Sequence, residues 1–185
     1  MNHNDPDHLL IVKILDGDFA SRNELILRHK DFAYTIAYNV LNNAEEAEEI
    51  AHDAFIKALK SLSKFNQEAK FSTWLYRIVF NTAITQKRKR KHNFTDLEEG
   101  KHISLNEHDS MEAKDKQRYI EQAMLILNDL DKTAITLFYF DELSIEDMSN
   151  IMQMNITTVK VRLHRARKRL AVAMKDILKE EALTL

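Results

Sequence analysis

Along most of this chain apolar residues recur every three or four positions, the spacing of one face of an α-helix rather than the alternation of a strand. From Asp7 to about Lys91 the pattern is nearly unbroken. Gly17, between Asp16 and Asp18, separates a first short helix from a second that carries Phe19, Leu25, Phe32, Ile36 and Val40, and Asn42 and Asn43 end that second helix. Ala47, Ile50, Ala51, Ala54, Ala58 and Leu59 then form one apolar stripe, with Glu45, Glu46, Glu49, Asp53 and Lys57 away from it. That arrangement predicts a packed helix with an acidic outer face. After a turn around residues 63–70, Ser72 or Thr73 stands where it can cap a helix with Trp74, Leu75, Ile78, Val79 and Ala83 on its buried side.

From His92 to about Met111 the residues are mostly polar, with Gly100 in the middle and no apolar period. The expected organisation is therefore a first domain over residues 7–91, a flexible linker over 92–114, and a second, smaller domain over 115–185. Periodicity resumes with Tyr119, Ala123, Met124, Leu125 and Leu127, and continues through Ala134, Ile135, Leu137 and Phe138. Ser144 with Asp147 three residues on is a capping-box arrangement for a short helix whose Ile145, Met148 and Ile151 face inward. It stops near Gln153, and Asn155 or Thr157 caps a longer helix with Val159, Leu163, Ala166, Leu170, Ala173 and Ile177 as its buried stripe.

Composition sharpens the fold class to all-α: two glycines and one proline, Pro6, leave little of the punctuation that strand-rich folds need. A hydrophobic fraction of 44% is enough for packed cores, and the 30% of charged residues is interspersed with it at helical spacing. With no cysteine there is neither a disulfide framework nor a thiolate site. The longest apolar runs, such as Ala134 to Phe140, are too short to span a bilayer, and the N-terminal MNHNDPDHLL lacks the basic and apolar regions of a secretory signal. A cytoplasmic location is expected.

The net charge of −2 hides an uneven distribution. Lys87 to Lys91 form one basic block; Lys160, Arg162, Arg165, Arg167, Lys168 and Arg169 form another, with no acid between Ile156 and Lys175. Acids gather at Glu45 to Glu49, Asp96 to Glu99 and Asp141 to Asp147. Such a chain can steer a polyanion to particular faces and leave acidic faces for protein contacts.

A short helix, a tight turn and a longer helix with an outward basic face make the layout of a DNA-binding helix-turn-helix, whose second helix enters the major groove N-terminus first. Its outward face carries Thr158, Lys160, Val161, Arg162, His164, Arg165 and Lys168, with Thr157 at its start. Lys160, Arg162 and Arg165 fall where side chains reach base edges, and Arg167 and Lys168 fall where they meet phosphates. A merely solvated helix of this composition would carry interspersed acids for i,i+4 pairing, and this one has none.

At these residues the chain resembles a known family. TVKVRLHRARKRL, residues 158–170, is similar to the recognition helix of the extracytoplasmic-function group of sigma-70 factors, the specificity subunits of bacterial RNA polymerase. LFYFDELSIEDMSNIM before it is similar to their preceding helix and turn. AEEAEEIAHDAFIKAL resembles the helix by which they dock on polymerase, and FSTWLYRIVFNTA resembles their promoter-melting segment. The likeness runs from about residue 8 to 178, broken by the linker. It departs at Asn128, where the family usually has proline, at Glu142 and Gln153, where it has glycine, and at His52, where it has glutamine.

The resemblance implies that the first domain docks on core polymerase and binds the minus-10 promoter element, while the second reads the minus-35 element. It places docking on Glu49, Asp53 and Lys57, against the clamp helices of the largest subunit. It places minus-10 binding on Phe65, Lys70, Phe71, Trp74, Tyr76, Arg77, Asn81, Lys87 and Arg88, where rings and cations suit an unstacked strand and the Asn81 amide suits a flipped base. It implies as partners core polymerase, including the flap of the second-largest subunit, promoter DNA, and an anti-sigma protein of the kind that holds many relatives inactive. It implies no cofactor, no metal and no membrane insertion.

Two other functional classes compete with this one. The eight histidines include no HExxH and no zinc-finger spacing, and two glycines cannot build a phosphate loop, so an enzyme is not expected. A one-component helix-turn-helix regulator that binds duplex DNA without polymerase would explain the second domain alone.

Overall fold

The structure, a computed structural model, describes residues 5–93, 111–139 and 142–182. Among the described residues every regular element is helical. The expectation of a flexible linker falls mainly on residues outside that set. Contacts divide the chain into two units, the first over residues 1–101 with 150–153 and the second over residues 102–149 and 154–185.

The first unit contains α1 (His8–Leu15), α2 (Phe19–Leu41), α3 (Ala44–Lys60), a single 3-10 turn at Leu62–Lys64, and α4 (Phe71–Asn93). Helices α2, α3 and α4 pack against one another and α1 lies on α2. Each boundary has a local cause. Gly17 takes a φ of 93°, a conformation open to a residue without Cβ. The Asp18 carboxylate accepts from the N–H groups of Ala20 and Ser21 and so caps α2. Asn42 closes α2 in the left-handed region at φ 53°, and Asn43 caps α3 by accepting from the Glu46 N–H. The core is Leu25, Ile36, Val40, Leu75 and Val79, none more than 1% exposed, with the small residues Ala33, Ala37, Ala47, Ala54, Ala58 and Ala83 letting the helices approach. Each large side chain buried this way contributes about 1.5–3 kcal/mol.

Two expectations need correction here. Phe19 was read in the apolar series of α2 but is 70% exposed, because it is the first helical residue and precedes the turn that reaches the core. Neither Ser72 nor Thr73 caps α4. The helix begins at Phe71, whose N–H is taken by the Asp5 carboxylate at 2.7 Å, and Thr73 is buried.

The second unit contains α5 (Met111–Leu125), α6 (Asp129–Tyr139), α7 (Ile145–Met152) and α8 (Ile156–Ala182). Helices α5 and α6 both pack on α8. Leu127, Ile135, Leu163 and Ala166 form its centre, with Met124, Phe138, Ile145 and Leu170 around them. Asn128, at the position where the resemblance expects proline, starts α6 by another route: its side-chain oxygen accepts the Asp131 N–H at 3.0 Å and its amide donates to the Asp131 carboxylate at 2.9 Å. Ser144 caps α7, its Oγ accepting the Asp147 N–H at 3.0 Å while its hydroxyl donates to the Asp147 carboxylate at 2.7 Å, and Asn155 caps α8 by accepting from the Thr158 N–H at 2.7 Å.

Helix enters both ends of the segment read as linker, since α4 runs through His92 and Asn93 and α5 starts at Met111. Those stretches are rich in Lys, Arg, Glu, Gln and Ala, which favour helix without an apolar stripe to announce it.

Candidate nucleic-acid interface

The stripe on α8 does what its period required: Val159, Leu163, Ala166 and Ala173 are buried, and Thr157, Thr158, Lys160, Val161, His164, Arg165 and Lys168 are exposed. The first turn of α8 contains no acid. The unpaired N–H groups and positive dipole end of the helix therefore act in the same sense as Lys160 and Arg165. Thr157, Thr158, Val161, Arg162 and Arg165, together with Asn128, Asp131 and Arg169, line an open groove of about 400 Å³. It is shaped between the start of α6 and the first four turns of α8, and its donors suit an anionic or hydrogen-bonding edge.

Arg162 is the exception on this face. Its side chain is 24% exposed, and Nη1 donates to the Asp131 carboxylate at 2.5 Å. Arg169 donates to the other oxygen of the same carboxylate at 2.8 Å. Asp131 itself is 4% exposed at its side chain. Arg167, exposed on the same helix, stacks on Phe138 at 4.5 Å and Tyr139 at 5.3 Å, so its cation serves the contact between α6 and α8. Asp131 and Arg169 are the members of the groove that the sequence reading missed. The only signal was Asn128 with Asp131 three residues on, a helix-start pattern that says nothing of partners on another helix.

In the first unit Phe65, Phe71 and Trp74 form a cluster, with ring centroids 5.1 to 5.9 Å apart. Phe71 and Tyr76 are 1% and 2% exposed and Phe65 is 8%, so in this conformation these rings are core, and Trp74 is the half-buried member. Tyr76 packs on Phe32 and holds His29, its hydroxyl 3.1 Å from Nδ1. Lys70, Arg77 and Arg88 are exposed, and Asn81 is half-buried on α4. Lys87 is tied down: its ammonium donates to the Val40 carbonyl at 2.8 Å, at the C-terminal end of α2 where a cation is favoured.

On α3, Glu49 and Lys57 are exposed and Asp53 is half-buried between them, one row at four-residue steps. Lys57 reaches the Thr82 hydroxyl at 3.3 Å, and Arg90 approaches Glu46 at 3.6 Å. Among the described residues no group of acids and histidines could hold a metal ion, and no helix is long and apolar enough to cross a membrane.

Two family profiles match the chain in order: Sigma-70 region 2 over residues 25–93 and Sigma-70 region 4 over residues 117–170. The chain is 34% identical to the ECF RNA polymerase sigma factor SigW of Bacillus subtilis, over 90% of this chain and 96% of that protein. It is 32% identical to the RNA polymerase sigma-H factor of Pseudomonas aeruginosa, over 94% and 96%. Among solved structures, the fold is similar to that of the sigma factor RpoE in complex with the anti-sigma factor NepR from Bartonella quintana. The TM-score is 0.67 at 23% identity, covering 83% of this chain and 96% of that one. It is also similar to CnrH in complex with the cytosolic domain of CnrY, with a TM-score of 0.65 at 18% identity, covering 93% and 99%. With both regions matched in order and relatives above 30% identical across at least nine tenths of its length, the chain belongs to the sigma-70 family, in the extracytoplasmic-function group of RNA polymerase sigma factors.

Proposed function

We infer that the two units divide the work of a sigma factor, which binds core RNA polymerase and directs transcription initiation at specific promoters. Residues 7–91 dock on the core enzyme and bind the minus-10 element; residues 115–185 read the minus-35 element. The observation that carries this division is the acid-free, exposed face at the start of α8, with its groove bounded by α6. Lys160 and Arg165 reach base edges there and Lys168 reaches phosphate. On α3 the row Glu49, Asp53 and Lys57 meets the clamp of the largest subunit, setting association rate and specificity more than affinity. Trp74, Asn81, Lys70, Arg77 and Arg88 receive the opened strand, and Phe65, Phe71 and Tyr76 back them from within.

The protein acts in the cytoplasm as a binding subunit, without chemistry of its own. An anti-sigma protein is a further partner, a reading supported by the solved relative held with NepR. A one-component regulator would leave residues 25–93, which match region 2, without a role.

In vitro transcription with core polymerase and genomic DNA tests the reading. Discrete start sites beyond those of core alone are expected with the wild-type chain. Asp53→Lys is expected to lose them while keeping its helicity and melting temperature, since a partly exposed carboxylate adds little to folding. Absence of any new start site with the wild-type protein overturns the reading.

A further inference from the structure

Asp131 is an acid set into a face built of cations. Its carboxylate joins two arginines of α8 two turns apart, Arg162 at 2.5 Å and Arg169 at 2.8 Å. For attraction to a polyanion that is a loss, because the carboxylate cancels charge and repels phosphate. Helix capping engages it only in part: the Asn128 oxygen takes the Asp131 main-chain N–H, which any residue at this position would offer, and the Asn128 amide adds one bond to the carboxylate. The carboxylate acts on the arginines. With Nη1 held by Asp131 and Nε buried without a partner, Arg162 is fixed at the wall of the groove with terminal N–H groups left for a ligand. An arginine without that anchor would swing to the nearest phosphate, which carries no sequence information.

We propose that Asp131 is a positioning residue for promoter reading, holding Arg162 against the groove so that it meets a base edge. The proposal rests on the reading of α8 as the helix that contacts duplex DNA. Discrimination is gained at the expense of overall attraction, because Asp131 fixes the guanidinium that remains while removing charge from the face.

The test uses the full chain reconstituted with core polymerase and duplex fragments carrying a promoter from the transcription assay, matched or singly substituted in the upstream element. Asp131→Asn keeps the shape and removes the charge. It is expected to reduce discrimination between matched and substituted duplexes about tenfold, with binding to the substituted duplexes equal or tighter. Asp131→Glu is expected to recover part of the discrimination. Adding Asp131→Asn to Arg162→Ala should cost nothing further, because the two act through one group. Equal weakening on all duplexes together with a lowered melting temperature would mean that Asp131 only holds the fold, and would overturn the proposal. So would unchanged discrimination in Asp131→Asn while Arg162→Ala loses it. If the wild-type holoenzyme does not distinguish the duplexes at all, the reading of α8 fails first and takes the proposal with it.

Discussion

Glu142 and Gln153 hold φ angles of 48° and 53°, the left-handed region that L side chains enter at a cost. Both flank α7, and both stand where the family resemblance expects glycine. The turns have kept their backbone shape while losing the residue that adopts it freely. Gln153 is exposed, so its side chain is not needed to fill space. Replacing it by glycine is expected to stabilise the folded chain by about 1 kcal/mol, read as a higher urea midpoint at unchanged slope. Gln153→Ala should give no such gain, since alanine meets the same backbone strain. A gain from alanine equal to that from glycine would show that the strain is not what the glycine relieves.

At the scale of one helix, α8 separates residues that read from residues that attach. Lys168 is exposed and lies three turns from the start, where α8 has passed the base edges. Lys168→Ala is expected to weaken binding to all duplexes about equally and to lower the salt dependence by roughly 0.9 in slope. Arg165→Ala should instead lose discrimination at the upstream element. Titrations on matched and scrambled promoters at several salt concentrations check both, and identical behaviour of the two variants would contradict the separation. The stripe of α8, its Asn155 cap and its outward cations were legible in the sequence because all three are set by spacing within one helix. The stacking of Arg167 was not legible because its partners, Phe138 and Tyr139, stand on α6. The grip on Arg162 was invisible for the same reason, since Asp131 lies 31 residues away. Period reports which way a side chain points and not what waits there.

Across the first unit the same limit applies to Asp5 and Asp7, to which the sequence assigned no partner. Asp7 is 1% exposed and binds Arg28 at 2.6 Å and His29 at 2.7 Å, with Tyr76 beyond His29. Burial works to raise its carboxyl, but the hydrogen bond and charge of His29, and then those of Arg28, outweigh it and hold it below its ordinary value of 3.8. A carboxyl lowered in the folded state adds stability above the unfolded value and loses it as pH falls through the folded one. Asp7→Asn is therefore expected to cost about 3 kcal/mol at neutral pH, with the gap to wild type narrowing below about pH 4. Denaturation curves of both proteins from pH 7 to 3 check this, and a gap that stays constant would rule out the carboxylate's charge as the cause. The bond from Asp5 to Phe71 also carries a consequence for the order of synthesis. It joins residues 66 apart, so at ordinary rates of translation Asp5 is made roughly 3 to 13 s before its partner exists. The contact that starts α4 therefore waits for the last helix of the unit, and the earliest-made side chains are among the last to lock.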